Sequence, residues 1–193
     1  EARTSRRAMS TGSIEVICGP MFSGKTEGLI RRLRGARENF RCVQAFKPAI
    51  DNRYHKAHIA SHRGTTFAAK PVNGVMELMA SVNPETQVVG IDEAQFFGAA
   101  LTSACEDLAD RGVRVIVAGL DTDYRGQPFE PIPALLAVAD SIAKLSAVCA
   151  RCGGTATRSH RIAGGHERVQ VGAAEAYEAR CRACVHRVAR GAR

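Results

Sequence analysis

The sequence predicts an α/β domain built on a mainly parallel sheet, followed by a small cysteine-rich unit. Three observations carry this. Apolar, strand-like runs alternate with segments of helical spacing between residues 14 and 120. A glycine-rich loop separates the first of those strands from the first helix. Beyond about residue 147 the texture changes to cysteine, glycine and arginine, with two closely spaced cysteine pairs.

The elements follow in order. Residues 14–18 are apolar and stop at Gly19, which predicts a buried strand. From Gly24 to about Arg37, the recurrence of Leu29, Ile30 and Leu33 among arginines predicts a helix with one face inward. Residues 43–47 form a second expected strand, stopped by Pro48. Residues 48–65 are polar and carry His55, His58 and His62 without a period, so a mobile loop with solvated histidines is expected. Asn73 is the expected N-cap of a helix running to about Ala80, with Pro84 beyond its end. Residues 87–91 are a third strand, running into Asp92 and Glu93. Residues 101–111 read as a helix closed by Gly112, and 113–120 as a strongly apolar strand. The expected organisation is a disordered tail over 1–12, an α/β domain over 13–147, a metal-binding domain over 148–188 and a basic tail over 189–193. The eight residues before Met9 are set aside from fold reasoning.

The chain has 193 residues, of which 45% are hydrophobic and 24% charged, the composition of ordinary globular material. No apolar run approaches the roughly 18–20 residues that span a bilayer, and no apolar stretch follows the basic start as it would in a secretory signal. A cytoplasmic location and no membrane partner are therefore expected. The net charge of +8 suits a highly charged small anion or a nucleic acid. Much of the excess, however, sits near the ends, at Arg3, Arg6 and Arg7 and at Arg180, Arg182, Arg187, Arg190 and Arg193, where it reads as solvated. Seven cysteines without a secretion signal point to thiols or metal ligands rather than to a disulfide framework.

Residues Gly19, Pro20, Met21, Phe22, Ser23, Gly24, Lys25 and Thr26 spell G-x-x-x-x-G-K-T between strand and helix. The glycines let backbone N–H groups curl around a phosphate, and the following helix offers its positive dipole end to the same anion. Lys25 can reach β- and γ-phosphates, and Thr26 can offer its hydroxyl to Mg²⁺. The apolar run 88–91 ends in Asp92 and Glu93, as a Walker-B strand does: the first acid sits near Mg²⁺, and the second orients or deprotonates the nucleophile. These parts specify a P-loop NTPase fold, RecA-like, using ATP with Mg²⁺ as its cofactor.

Cys149 and Cys152, then Cys181 and Cys184, give two C-x-x-C pairs separated by 28 residues. Two such knuckles complete a tetrahedral thiolate site, and four cysteines with no open position predict structural rather than catalytic Zn²⁺ in a small C-terminal ribbon. Cys18, Cys42 and Cys105 are expected to be small core residues.

A nucleic-acid-dependent ATPase could share the P-loop, the Asp-Glu strand end and the zinc ribbon. The chain has room for one lobe where a helicase normally needs two, and aromatic residues for stacking on bases amount to only 5%. A binding module without turnover leaves Lys25, Thr26, Asp92 and Glu93 unexplained.

Finer matches decide. The loop filling Pro20-Met21-Phe22-Ser23, the loop Asp51-Asn52-Arg53-Tyr54 and the segment Ile91-Asp92-Glu93-Ala94-Gln95-Phe96-Phe97 resemble the type II, zinc-containing thymidine kinases. So do residues 119–126 with Pro128 and Phe129, and the cysteine pairs with Tyr177 four residues before Cys181. The match runs from about 13 to 185. Departures are Gly172-Ala173 for Gly-Gly, Ser159 for Thr, Tyr124 for Phe and Val185 for an aromatic residue.

The resemblance implies transfer of the ATP γ-phosphoryl group to the 5′-hydroxyl of thymidine or deoxyuridine, in pyrimidine salvage and DNA-precursor synthesis. It implies Glu93 as catalytic base and places Asp51 and Arg53 near the transferring group. ATP contacts fall to 19–26, Asp51, Asn52, Arg53, Asp92, Ala94 and Gln95. The nucleoside falls to Tyr124, Tyr177 and a covering lasso of Arg168, Val169, Gln170, Val171 and Gly172. Met21, Phe96, Leu120 and Phe129 line the base pocket. Homotetramer formation, inhibition by thymidine triphosphate and no nucleic-acid partner are implied as well.

Overall fold

The computed structural model describes residues 12–39, 41–51, 57–61, 63–163 and 176–185. The apolar run at the start becomes β1 (Ser13–Gly19), and the helical pattern after the glycine loop becomes α1 (Lys25–Glu38). Leu29, Ile30, Leu33 and Ala36 form the buried stripe of α1, while its arginines are left at or near the surface. Next come β2 (Val43–Pro48), β3 (His58–Ala60), β4 (Thr66–Ala68), β5 (Lys70–Val72), α2 (Val75–Ser81) and β6 (Val88–Ile91). A 3-10 turn (Ala94–Phe96), α3 (Ala100–Asp110), β7 (Arg114–Leu120), α4 (Ile132–Val138) and β8 (Ser141–Lys144) follow.

Among the described residues six strands form one sheet in the order β5-β2-β6-β7-β1-β8, and every neighbouring pair is parallel. A parallel sheet must be covered on both faces, and its central strands are accordingly continuous in apolar residues. Val88 to Ile91 in β6 and Val115 to Ala118 in β7 are all buried. One face packs Ile17, Ile116 and Ala118 against Leu29, Ile30 and Leu33 of α1. The other packs Val16, Val89, Val115 and Val117 with Leu101, Cys105 and Leu108 of α3 and Ile132 and Leu135 of α4. Gly112, with φ 86°, closes α3 as expected. Among the described residues no helix is long and apolar enough to cross a membrane.

Three expectations are corrected. The segment 48–65 is not all loop: β3 pairs antiparallel with β4, and Ile59 and Phe67 anchor this hairpin under α1. Of its histidines, His58 lies on β3 and is exposed, while His55 and His62 lie outside the described residues. The cap of α2 is Gly74 rather than Asn73. Asn73 instead donates both its backbone N–H and its side-chain amide to Glu77 Oε2, at 2.8 and 2.9 Å. Cys42 is exposed rather than core, because the chain entering β2 uses its backbone: Cys42 O accepts the N–H groups of Gln87 and Val88. Cys18 and Cys105 are buried, as expected.

Among its described residues, the cysteine-bearing segment adds two small antiparallel ladders. In the first, β9 (Ala147–Val148) pairs with β10 (Thr155–Ala156); in the second, β11 (Arg158–Arg161) pairs with β12 (Tyr177–Arg180).

Candidate active site

The carboxyl ends of β1, β2, β6 and β7 open on one edge of the sheet, the usual place for a ligand crevice in such folds. Between β1 and α1 the chain must turn sharply. A Cβ on Gly19 would lie 2.4 Å from the carbonyl oxygen of Leu145, so only glycine fits there. Gly24 takes φ 84° immediately before α1, and Phe22, at φ 64°, is the strained member of the loop. Lys25 Nζ donates to the carbonyl of Pro20 at 2.7 Å, and Ser23 Oγ donates to the same oxygen at 2.8 Å. Burial pushes the Lys25 ammonium below its ordinary pKa, and the charges of Glu93, Asp92 and Asp121 pull it back.

β6 delivers the acids. Asp92 is 6% exposed and accepts the hydroxyl of Thr26 on its two oxygens, at 3.1 and 3.2 Å. Burial first, then the charge of Glu93, raises the Asp92 carboxyl to about 7. A buried carboxylate beside a threonine hydroxyl is a hard-oxygen pair of the kind Mg²⁺ takes. Glu93 has φ 51° at the head of the 3-10 turn and lines the cleft. Gln95 is buried; its amide donates to Glu93 Oε2, and its oxygen accepts Leu120 N at 3.0 Å. Asp51, at the end of β2, is also buried and adds to the upward push on Asp92.

A cleft of about 290 Å³ opens here, lined by residues 21–26 with Glu27, Glu93 and Leu120. Ser61 and Arg63, from the β3–β4 turn, complete it. On its apolar side Met21, Ala176 and Tyr177 are buried together, with Phe22, Leu120 and Tyr124 packed against them. Phe96 and Phe129 form an edge-to-face pair with centroids 6.5 Å apart. Ser159 of β11 accepts the Met21 N–H at 3.0 Å, which ties the cysteine-bearing segment to the glycine loop. Arg161 lies over the Tyr124 ring at 3.9 Å and donates to Tyr177 Oη at 2.6 and 3.1 Å.

The four cysteines converge. Their sulfurs all lie within 4.8 Å of one another, and Cys152 Sγ is 3.7 Å from Cys181 Sγ. A tetrahedral Zn–S₄ centre with bonds of about 2.3 Å sets its sulfurs about 3.8 Å apart, so the cage has the right size for a metal ion. Backbone N–H groups, that of Cys181 foremost, bring the Cys149 thiol down to about 6. Neighbouring thiols, Cys181 first, push Cys184 up to about 12.

Within the described residues the structure gathers Met21, Leu120, Tyr124 and Tyr177 on one wall and Lys25, Thr26, Asp92 and Glu93 on another. Asn52, Arg53 and the stretch Arg168, Val169, Gln170, Val171 and Gly172 lie outside the described residues. Sequence reading missed Ser61, Arg63 and Arg161, none of which belongs to a motif. It also missed the Lys144–Asp121 ion pair at 3.0 Å, which joins two strand ends distant in sequence.

A glycine loop between parallel strand and helix, an acid-tipped neighbouring strand and a four-cysteine ribbon define a P-loop protein of the phosphotransferase class. The family model described as thymidine kinase matches residues 12–185. A thymidine kinase of Bdellovibrio bacteriovorus is 54% identical over 89% of this chain and 84% of its own length. One from Bacteroides fragilis is 47% identical over 91% and 88%, and one from Deinococcus deserti 49% identical over 90% and 94%. The chain belongs to the thymidine kinase family.

Proposed function

We infer that the chain transfers the γ-phosphoryl group of ATP to the 5′-hydroxyl of thymidine, and of deoxyuridine, yielding the nucleoside monophosphate. The observation that carries this is a cleft that brings the glycine loop, Lys25 and Glu93 together with the apolar side chains of Met21 and Leu120. Phosphoryl transfer asks little covalent chemistry of a protein; it asks for alignment and for cancellation of charge on the phosphoryl oxygens. The Lys25 ammonium would exchange the Pro20 carbonyl for phosphate oxygens, and the amides of residues 21–26 would hold the β-phosphate. Thr26 and Asp92 would hold Mg²⁺, which when bound supplies positive charge at the phosphates. Glu93, anchored by Gln95, would orient the 5′-hydroxyl and take its proton. Asp51, Asn52, Arg53, Ala94 and Gln95 complete the ATP side of the proposal.

The base would lie against Met21, Phe96, Leu120, Tyr124, Phe129 and Tyr177, under the 168–172 stretch. The ribbon would hold Zn²⁺ through Cys149, Cys152, Cys181 and Cys184 in a structural role. Residues 13–147 would act as the kinase domain and 148–188 as the zinc and substrate-covering domain. A cytoplasmic homotetramer inhibited by thymidine triphosphate, with no nucleic-acid partner, belongs to the same reading. The test is a nucleoside panel with ATP and Mg²⁺ followed by kcat/KM. Thymidine is expected to exceed deoxycytidine by a factor on the order of 10²–10⁴, since two mismatched buried polar groups cost about 1–3 kcal/mol each. Equal values for the two would overturn the base assignment, and DNA-stimulated ATP hydrolysis without nucleotide product would overturn the whole reading.

A further inference from the structure

Arg63 stands in the wall of the cleft with no motif to account for it. The β3–β4 hairpin carries it there on a fixed mount. Ile59 and Phe67, paired across the hairpin, pack under Leu29 and Leu33 of α1. Arg34 of α1 donates to the Thr66 carbonyl at 2.9 Å, and Arg37 lies over the Phe67 ring at 4.3 Å. The turn itself is closed by three hydrogen bonds: Ser61 N to Thr65 O at 2.9 Å, Gly64 N to Ser61 O at 2.9 Å, and Thr65 N to Ser61 Oγ at 3.2 Å. Gly64 has φ 80°, which the tight reversal requires. The hairpin is thus clamped to the helix whose N-terminus forms the phosphate cradle, and its turn brings Arg63 into the same cleft as Lys25 and Thr26.

The guanidinium is held loosely. Its Nε lies 3.9 Å from Glu27 Oε2, and the two side chains are 82% and 43% exposed. An exposed ion pair of that length contributes little and exchanges readily for a stronger partner. A triphosphate entering the cleft carries several negative charges and accepts charge-assisted hydrogen bonds from an arginine fork. Glu27, in the first turn of α1, is then both the resting partner of Arg63 and a like charge beside the incoming phosphates.

We propose that Arg63 is a further phosphate-contacting residue, which leaves Glu27 for the triphosphate of ATP; the inference rests on the cleft taking ATP. Glu27 opposes binding by competing for the arginine. Arg63 and Glu27 must then act with opposite signs, whereas a merely structural ion pair would make their loss equivalent. The test is calorimetric titration of the full chain with the Mg²⁺ complex of the β,γ-imido analogue of ATP. R63Q is expected to bind about tenfold more weakly, the worth of one charge-assisted contact at a partly exposed site. R63K should recover most of that loss, and the deficit should shrink at high salt. E27Q should bind about two- to fivefold more tightly. R63Q within twofold of the parent chain, or E27Q weakened in parallel with R63Q, would overturn the proposal. Thymidine is absent from the titration, so a null result at Arg63 leaves the phosphotransfer reading standing.

Discussion

The parallel sheet and the cysteine-bearing hairpins meet at the same cleft but are held together by different physics. The sheet has two large apolar clusters, and it buries side chains as big as Phe46, Ile17, Leu29 and Ile116 completely. The hairpins have a core of Cys149, Ala156, Ala179 and Cys184, in which two of the four buried residues are themselves sulfur donors. Among the described residues, so small an apolar core contributes little against the entropy of ordering its chain. The four cysteines could hold a metal ion, which would supply what burial does not. On the proposed reading, the phosphate side of the site would come from the sheet scaffold, and part of the nucleoside side, through Ser159 and Tyr177, from the hairpins that carry the cysteine cage.

The largest effect should come from breaking the hairpins alone. Zinc binding to a four-ligand structural site is worth about 10–16 kcal/mol near neutral pH, and the hairpins have little else. Cys149→Ser, or chelation of the parent chain, should remove the metal, release the Ser159–Met21 tie and abolish thymidine binding. The sheet's thermal transition should persist near its original temperature. Metal analysis paired with circular dichroism melting checks this. A metal-free chain with full thymidine turnover would erase the difference between the two regions.

A break on the sheet side has another signature. Glu93→Gln keeps the shape at the end of β6 but removes the carboxylate proposed as the proton acceptor. A fall in kcat on the order of 10²–10⁴ is expected, the usual range for a general base, with ATP affinity and metal content little changed. Steady-state kinetics with an ATP titration decides, and near-parental turnover would remove Glu93 from the chemistry.

Leu33→Ala sharpens the contrast on stability alone. Leu33 is fully buried, and its side chain fills the place that a Cβ on Gly90 of β6 would need, 2.7 Å away. Truncation should cost about 2–5 kcal/mol, read as a lower denaturant midpoint of the sheet with the zinc retained. Metal loss in step with the sheet would show the regions to be one cooperative unit.

What the sequence disclosed, and what it withheld, follows the same division. Local spacing specified the glycine loop, the acid-tipped β6 and the four cysteines, because each depends on residues a few positions apart. The β3–β4 hairpin escaped notice because its strands are three residues long and each offers a single buried large side chain, Ile59 or Phe67. Those two count only once α1 lies over them. Arg63 and Arg161 were invisible for the same reason: their meaning comes from Glu27 and from Tyr124 with Tyr177, partners set by folding rather than by spacing. Cys42 misled because residue type was read without its place at the entry to a strand.

The smallest expected effect lies at the start of α2 and tests whether a surface contact reports on the sheet alone. Gly74 has no side chain to cap the helix, so the first turn relies on Glu77, whose carboxylate accepts the backbone N–H and side-chain amide of Asn73. Those two bonds, the backbone one foremost, hold Glu77 below the ordinary carboxylate pKa. A folded-state pKa below the unfolded one means that the contribution is fully present above the unfolded value, near 4.3 for a free glutamate. It is lost as pH falls through the folded value. Water screens this surface carboxylate, so the contribution is small. Glu77→Gln should therefore lower the melting temperature of the sheet slightly at pH 7, and the gap between parent and variant should close between about pH 5 and pH 3. Melting curves of both proteins across that range, with zinc content followed in parallel, provide the measurement. A gap that stays constant with pH would mean that the glutamate acts through packing rather than through its charge. A gap that tracked zinc release instead would mean that α2 senses the hairpins.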